Sequence, residues 1–219
     1  MIITIDGPSG TGKSTVARKL AERLKFNYLD SGAMYRALAF QMLSQGIKFT
    51  DLEAIEALCE RFSFHSRSED GVWRYYLGQT EVTDEIRKAD VTALSSQIAA
   101  YPFVRKAMAA LQRRQGETSH LVCEGRDIGT VIFPDAELKI FLTATPDIRA
   151  KRRYEEMKRK FPDEHFDLEE IKNTIILRDS ADVNRTIAPL KQPEDAFVID
   201  TSYMDIDEVV ASIVNKVTS

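Results

Sequence analysis

Residues 7 to 15, "GPSGTGKST", carry the clearest signal of the fold in the sequence. This stretch matches the pattern G-x-x-x-x-G-K-[ST], in which glycines let consecutive backbone N–H groups turn toward phosphate oxygens. The pattern follows the apolar run 2–5 and opens a segment of helical period at 13–24. A strand, a glycine-rich turn and a helix in this order place a phosphate at the helix N-terminus. The sequence therefore predicts a nucleoside triphosphate site.

The whole loop is predicted to contact ATP. Its residues are Gly7, Pro8, Ser9, Gly10, Thr11, Gly12, Lys13, Ser14 and Thr15. In loops of this pattern the lysine, here Lys13, bridges the β- and γ-phosphates, and the hydroxyl at the next position, Ser14, binds Mg²⁺ directly. The loop does not identify the group that accepts the phosphate.

The rest of the chain alternates short apolar runs with longer segments of helical period. Predicted strands lie at 2–5, 28–29, 121–123, 138–142 and 197–199, and predicted helices at 13–24, 33–43, 148–160 and 206–217. Buried strands joined by helical crossovers form a parallel sheet with helices on both faces. We therefore expect an α/β fold of the P-loop NTPase type with five parallel strands.

One region breaks this alternation. A capping-box pattern from Thr50 to Glu53 predicts a helix start, and aromatic runs at 62–64 and 72–77 then flank Asp70-Gly71. Asp-Gly between such runs is typical of a β-hairpin, and 80–82 follow as a third strand. The region is predicted to be a small antiparallel insert.

The amino-acid composition indicates which classes of protein the chain can belong to. The 219 residues are 43% apolar, carry a net charge of −4, and include only Cys59 and Cys123 as cysteines. These values predict a globular domain without a disulfide framework or a general affinity for nucleic acid. The chain has no apolar run of about 20 residues and no basic leader, so we expect a cytoplasmic protein that does not bind membranes.

Arginines follow the predicted strands at positions suited to a second phosphate. "DSGAMYR" places Ser31, Tyr35 and Arg36 after the second strand, and Arg126 follows the strand at 121–123. The carboxyl ends of parallel strands are where open α/β sheets bind ligands. A guanidinium holds phosphate through two parallel hydrogen bonds, so these residues predict a phosphorylated acceptor.

A third arginine group lies in "RDSADVNR". Arg178, Asp182 and Arg185 are spaced i, i+4 and i+7, which places them on one face of a helix that Pro189 would end. The spacing also fits a surface ladder of ion pairs. Its combination with Arg36 and Arg126 favours the phosphate site.

Two further features have open alternatives. The basic segment 147–166 is either a solvated helix or a mobile lid whose Arg152 or Arg153 closes over the transferring phosphoryl group. Glu124 either holds Mg²⁺ through a water molecule or is a loop carboxylate paired with Arg126.

Taken together, these motifs resemble the bacterial cytidylate kinases, short-lid members of the nucleoside monophosphate kinase group. The resemblance covers nearly the whole chain, in family order. It rests on "TIDGPSGTGKST", "YLDSGAMYRALA", "EVTDEIR", "SSQIAAYPFVR", "EGRDIGTVIFPDAELKIFLTA", "RAKRR" and "RDSADVNRTIAPL". It implies transfer of phosphate from MgATP to CMP, and to dCMP, by a monomer.

The resemblance also assigns acceptor residues. Arg36, Arg126 and Arg185 would hold the CMP phosphate. The residues facing cytosine would be Ser96, Arg105 and Asp127, and those facing the ribose Arg178 and Asp182. A carboxylate at Asp127 can accept a hydrogen bond from the cytosine amine, whereas the uracil carbonyl would oppose it with its own lone pairs.

The resemblance divides one kinase domain into three parts. These are a core at about 1–30, 116–145 and 190–219, an acceptor-binding region with the insert at about 31–115, and a lid at about 146–166. Two alternatives stay open: a kinase of this fold acting on UMP, dTMP or shikimate, and a nucleotide-switch ATPase. The guanine-reading Asn-Lys-x-Asp of GTPases is absent from the sequence.

Overall fold

A computed structural model describes residues 1–218. The strands are β1 Ile2–Asp6, β2 Asn27–Asp30, β3 Phe64–Glu69, β4 Val72–Leu77, β5 Thr80–Glu81, β6 Leu121–Gly125, β7 Leu138–Thr143 and β8 Phe197–Asp200. The helices are α1 Lys13–Leu24, α2 Ser31–Ser44, α3 Leu52–Glu60, α4 Ala89–Ile98, α5 Pro102–Thr118, α6 Pro146–Lys160, α7 Leu168–Val183 and α8 Ile206–Thr218. A 3₁₀ turn spans Glu85–Arg87, and a π-helical turn spans Ile128–Ile132.

The chain forms two compact units. The first comprises Met1–Tyr28 and the chain from Ser119 onward, and the second comprises Leu29–Thr118. The functions assigned to the acceptor-binding region and the lid stay predictions.

The five-stranded parallel sheet confirms the predicted fold class. Its strand order is β2-β6-β1-β7-β8, and β1 pairs in parallel with both β6 and β7. Ile3 and Ile5 of β1 are fully buried, as are Val122 and Ile140 on the neighbouring strands. Burial of a central strand on both faces explains its nearly continuous apolar sequence. Parallel pairing brings the carboxyl ends of these strands, and the loops that follow them, to one edge of the sheet.

The second unit contains the predicted antiparallel insert. Its sheet has the order β3-β4-β5, and the β3–β4 register pairs Glu69 with Val72 around Asp70-Gly71. Asp70 and Gly71 have φ values of 51° and 77°. Both residues are left-handed, as a two-residue hairpin turn of type I′ requires, so Asp-Gly is the sequence signal that sets this hairpin.

Two predicted helix boundaries were wrong. Asp51, rather than Thr50, caps α3, because its side chain accepts a hydrogen bond from the Ala54 amide at 3.1 Å. Helix α7 ends at Val183, before Arg185 and well before Pro189. Asn184 ends it by donating from Nδ2 to the Ser180 carbonyl at 2.8 Å. Arg185 therefore lies in the following loop and not on the helix face.

Cys59 and Cys123 are buried thiols that form no disulfide with each other. Within residues 1–218, no helix is both long enough and apolar enough to cross a lipid bilayer.

Candidate active site

The phosphate loop leaves β1 through a glycine that no other residue can replace without a backbone shift. Gly7 has φ +145°, and a Cβ built on it would lie 2.1 Å from the backbone oxygen of Leu142 on β7. Gly12, with φ +90°, precedes α1 at its N-terminus. The first amides of a helix have no acceptor four residues earlier in the helix, which makes a helix N-terminus suited to an anion. In α1 the Thr15 amide donates to the Gly12 carbonyl at 3.1 Å, so the amides of Lys13 and Ser14 are the ones predicted to bind phosphate.

Lys13 is a buried cation within this loop. Its Nζ donates to the Pro8 carbonyl at 2.6 Å, and only 5% of the residue is exposed. Burial, together with the nearby positive charge of Arg126, lowers the pKa of Lys13 to about 7. The positive charge of Arg178 lowers the pKa of Lys13 further, whereas the negative charge of Glu124 raises it. A bound phosphate would offset the like charges around Lys13 and favour its charged form.

Asp6 joins the end of β1 to the loop that carries Arg126 and Asp127. Its carboxylate accepts from the amide of Ile128 at 2.9 Å and from that of Gly129 at 2.7 Å. A Cβ on Gly129 would lie 2.8 Å from Thr4 Oγ1, so a glycine is needed for the backbone at position 129 to come this close to β1. Asp6 is fully buried, and burial raises its pKa to about 6 although the two amides act in the opposite direction.

Asp182 brings two of the predicted phosphate-binding arginines together. Arg126 Nε donates to Asp182 Oδ2 at 2.8 Å, and Arg185 Nη1 lies 3.9 Å from Asp182 Oδ1. Arg185 also donates to the Ala188 carbonyl at 2.8 Å. The two guanidinium groups flank one carboxylate, so Asp182 limits their mutual repulsion and holds both in position. A role of Asp182 at the ribose stays a prediction.

Glu124 is a buried carboxylate with an aromatic partner. It is the fourth residue of β6, is 4% exposed, and accepts from the Tyr28 hydroxyl at 2.9 Å. Glu124 pairs in register with Ile5 of β1, one residue before Asp6, and its negative charge raises the pKa of Lys13. The carboxylate therefore lies beside the predicted phosphate site, and Tyr28 orients it.

A buried ion pair that no sequence motif predicted holds the phosphate loop. Arg149 on α6 pairs with Asp179 on α7 at 2.5 Å, and their side chains are 5% and 18% exposed. Arg149 donates to the Ser9 carbonyl at 3.0 Å, and Asp179 accepts from the Ser9 amide at 3.4 Å. A Cβ on Gly10 would lie 3.1 Å from Arg149 Cβ, so Gly10 makes room for the arginine. Both peptide groups of Ser9 are thereby tied to α6 and α7.

Both arginines predicted to close over the phosphoryl group have partners in the first unit. Arg152 donates to the Thr201 carbonyl at 2.5 Å and to Thr201 Oγ1 at 3.0 Å. Thr201 Oγ1 lies 3.2 Å from the carbonyl oxygens of both Thr11, in the phosphate loop, and Thr143, so its single proton is shared between these two acceptors. Arg153 is half exposed and pairs with Glu156. The lid role of either arginine stays a prediction.

The second unit contains Ser31, Tyr35 and Arg36 on α2. Ser31 is buried at the helix start, while Tyr35 and Arg36 are partly exposed. Asp30 caps this helix by accepting from the Ala33 amide at 2.7 Å, and its other oxygen lies 3.3 Å from Arg36 Nη2. The local sequence "DSG" at the end of an apolar run is a signal for this cap.

The two residues predicted to face cytosine from the second unit lie on α4 and α5. Ser96 is exposed and its hydroxyl donates to the Thr92 carbonyl at 3.4 Å. Arg105 is buried and donates to the Ala99 carbonyl at 3.4 Å. Both hydrogen bonds are local to their own helix region. The roles of Ser96 and Arg105 at the cytosine base stay predictions.

The parallel sheet and the loop at Gly7 to Thr15 define a P-loop nucleotide-binding protein of the α/β class. The sequence pattern of the family "Cytidylate kinase" matches residues 3–219. The chain belongs to the cytidylate kinase family.

Curated relatives agree with that family. The cytidylate kinase of Protochlamydia amoebophila is 46% identical over 215 residues, covering 97% of this chain and 94% of the relative. That of Syntrophotalea carbinolica is 44% identical over 217 residues, covering 99% and 92%. A crystal structure of an uncharacterized protein from Eubacterium ventriosum superposes with a TM-score of 0.54 at 17% identity, covering 100% and 99% of the two chains. That structural match supports the fold alone.

Because Asp6 is buried, we predict that the free energy of unfolding depends on pH. The folded-state pKa of Asp6, about 6, exceeds the ordinary value of 3.8, so folding favours the protonated acid. The contribution to stability is full below pH 3.8 and is lost as the pH rises through about 6, a change of about 3 kcal/mol. Asp6→Asn removes this titration. Between pH 4 and 7, thermal unfolding should show the wild type losing stability relative to the variant, and parallel pH profiles would contradict the assignment.

The Arg149–Asp179 pair predicts a coupled loss of stability and nucleotide affinity. Asp179→Ala leaves a buried guanidinium without its carboxylate, so we expect a loss of about 3 kcal/mol and about tenfold weaker ATP binding. Asp147→Ala is the matched control, because the Asp147–Lys172 pair also joins α6 to α7 but leaves Asp147 72% exposed.

The control should cost less than about 1 kcal/mol and leave ATP binding unchanged. Calorimetric unfolding and ATP titration measure both quantities, and Asp179→Asn tests whether a neutral acceptor is enough to hold Ser9. Equal effects of Asp179→Ala and Asp147→Ala would show that the buried pair does not shape the loop.

Proposed function

We propose that the protein transfers the γ-phosphoryl group of ATP to the 5′-phosphate of CMP, giving ADP and CDP, and that it also accepts dCMP. Membership of the cytidylate kinase family supports this activity and does not favour a UMP, dTMP or shikimate kinase. The observation that carries the proposal is a second cluster of cationic groups that is suited to bind a phosphate. Arg126 and Arg185 share Asp182, and they are distinct from the glycine-rich loop that would hold ATP.

The donor is held by the loop from Gly7 to Thr15. Backbone amides and Lys13 bind the β- and γ-phosphates, and the tie between Ser9 and the Arg149–Asp179 pair keeps the loop in shape. Preorganised donors stabilise charge that develops during transfer without having to rearrange. Lys13 would stabilise the negative charge that develops on the β- and γ-phosphates during transfer.

The donor set fits a nucleotide-bound Mg²⁺. Ser14 supplies a hydroxyl in the first turn of α1, and Glu124 supplies a buried carboxylate whose charge acts on Lys13. Mg²⁺ prefers oxygen ligands and retains water molecules, so Ser14 would bind it directly and Glu124 through water. When bound, the ion neutralises charge on the β- and γ-phosphates.

The acceptor phosphate needs orientation more than activation. It is already an oxyanion near neutral pH, so no general base is required. Arg36, Arg126 and Arg185 would hold it in line for attack on the γ-phosphorus. As the new P–O bond forms, the bond from the γ-phosphorus to the β,γ-bridging oxygen breaks and ADP leaves. Closure of Arg152 or Arg153 over the site would exclude water as a competing acceptor.

Asp127 is proposed to select the base, with Ser96 and Arg105, while Arg178 and Asp182 face the ribose. Asp127 is 7% exposed and directly follows Arg126. A buried carboxylate that accepts from the cytosine amine would be left opposite a carbonyl oxygen if uracil were bound. We further propose a monomeric cytoplasmic enzyme without a nucleic-acid or membrane partner.

The activity is tested by ADP release with CMP, dCMP, UMP, AMP and dTMP as acceptors. CMP and dCMP should have the highest kcat/KM. Turnover of UMP equal to that of CMP would contradict cytosine selection, and turnover stimulated only by RNA or DNA would indicate a nucleotide-switch ATPase.

Asp127 provides the residue-level prediction. Asp127→Ala should lower kcat/KM for CMP about a hundredfold, because a buried hydrogen bond to a charged group is lost, and should change KM for ATP less than about twofold. Asp127→Asn should raise the ratio of UMP to CMP turnover, because an amide can donate to the uracil oxygen. Asp135→Ala is the control, because Asp135 is an exposed aspartate eight residues further along the chain. Unchanged CMP kinetics in Asp127→Ala would refute the assignment.

A further inference from the structure

Asp30 collects three hydrogen-bond donors within the second unit. Its Oδ1 accepts from the Ala33 amide at 2.7 Å. Its Oδ2 accepts from the Tyr75 hydroxyl at 3.2 Å and from Arg36 Nη2 at 3.3 Å. Asp30 and Tyr75 are 7% and 1% exposed. One buried carboxylate therefore joins the helix that carries Arg36 to a strand of the antiparallel insert.

The phenol of Tyr75 is held firmly by its surroundings. Tyr75 lies in β4 opposite Ser66, and its ring stacks on Phe64 with centroids 5.9 Å apart. Its amide donates to Thr83 Oγ1 at 3.0 Å, and its carbonyl accepts from the Val82 amide at 2.8 Å. A hydroxyl on so constrained a ring fixes the position of the oxygen that it contacts.

Gly32 leaves the space in which Arg36 reaches back to Asp30. A Cβ on Gly32 would lie 2.9 Å from Arg36 Nη1 and 3.2 Å from Asp30 Oδ1. The guanidinium therefore passes directly over the Gly32 backbone. A methyl group there would displace the end of a flexible side chain, which alters the position of Arg36 more than the stability of the fold.

We propose that Tyr75 is a positioning residue for phosphoryl transfer, acting through Asp30 on Arg36. The inference rests on the proposed function, in which Arg36 binds the CMP phosphate. Tyr75 and Arg36 both donate to Oδ2 of Asp30. The phenol therefore fixes the position of the Asp30 carboxylate, and it occupies part of the capacity of Oδ2 to accept hydrogen bonds from Arg36. Arg36 thereby keeps its direction and retains donors for the substrate phosphate. The antiparallel insert thus contributes to acceptor binding through a residue that does not touch the substrate.

The test is Tyr75→Phe, which removes the hydroxyl and keeps the ring. KM for CMP should rise about tenfold while KM for ATP stays within about twofold of the wild type. Tyr76→Phe is the matched control. Its hydroxyl, on the opposite face of the same strand, donates to Glu69 at 2.9 Å and accepts from Arg67 at 3.0 Å. It should leave both KM values unchanged.

A double-mutant cycle separates positioning from structural support. Arg36→Ala should raise KM for CMP about a hundredfold, and adding Tyr75→Phe should then raise it by less than about twofold more. Gly32→Ala displaces Arg36 from the other side and should also raise KM for CMP selectively. Thermal unfolding of each variant verifies that it is folded.

The outcomes distinguish the two proposals. If Arg36→Ala raises KM for CMP but Tyr75→Phe does not, the positioning role fails and the proposed function stands. If Tyr75→Phe acts equally in the wild type and in Arg36→Ala, or raises KM for ATP as much as for CMP, Tyr75 serves only the fold. If Arg36→Ala leaves KM for CMP unchanged, the assignment of Arg36 in the proposed function fails.

Discussion

The arrangement of the first unit depends on two hydrogen bonds that the Asp6 carboxylate accepts. Asp6 ends the central strand β1 and accepts both amides at the start of the turn Ile128–Ile132. The phosphate loop begins at the next residue, Gly7, and Asp127 immediately precedes the turn. One buried acid thus sets the spacing between the loop proposed for ATP and the residues proposed for CMP.

The first unit concentrates charge that a protein interior disfavours. Lys13 and Arg149 are both buried, and the positive charge of Arg126 lowers the pKa of Lys13. Asp179 and Asp182 balance the arginines through direct ion pairs, whereas Lys13 contacts a neutral carbonyl. Buried charges are stable when paired, so an anionic ligand would complete the charge balance at Lys13. The positive charges of Lys13 and Arg126 would therefore favour the binding of a phosphorylated substrate.

Local sequence signals predicted much of this structure. The loop at Gly7 to Thr15 and the hairpin at Asp70-Gly71 were predictable because each depends on a few adjacent residues. Arg185 was misplaced because the Asn184 side chain ends α7 before Pro189, and helix spacing does not show such an end. The Arg149–Asp179 pair joins residues 30 positions apart, and its partner Ser9 is farther still. Such contacts follow from the packing of α6 and α7, which no single segment encodes.

A decisive measurement is to follow where the γ-phosphoryl group of ATP goes during one turnover. In a single turnover with ATP labelled in its γ-phosphate, enzyme in excess over ATP and saturating CMP, the account predicts that the label appears in CDP with little in inorganic phosphate. With UMP in place of CMP, transfer should be much slower under the same conditions. Label released mainly as inorganic phosphate in the presence of CMP would contradict the account.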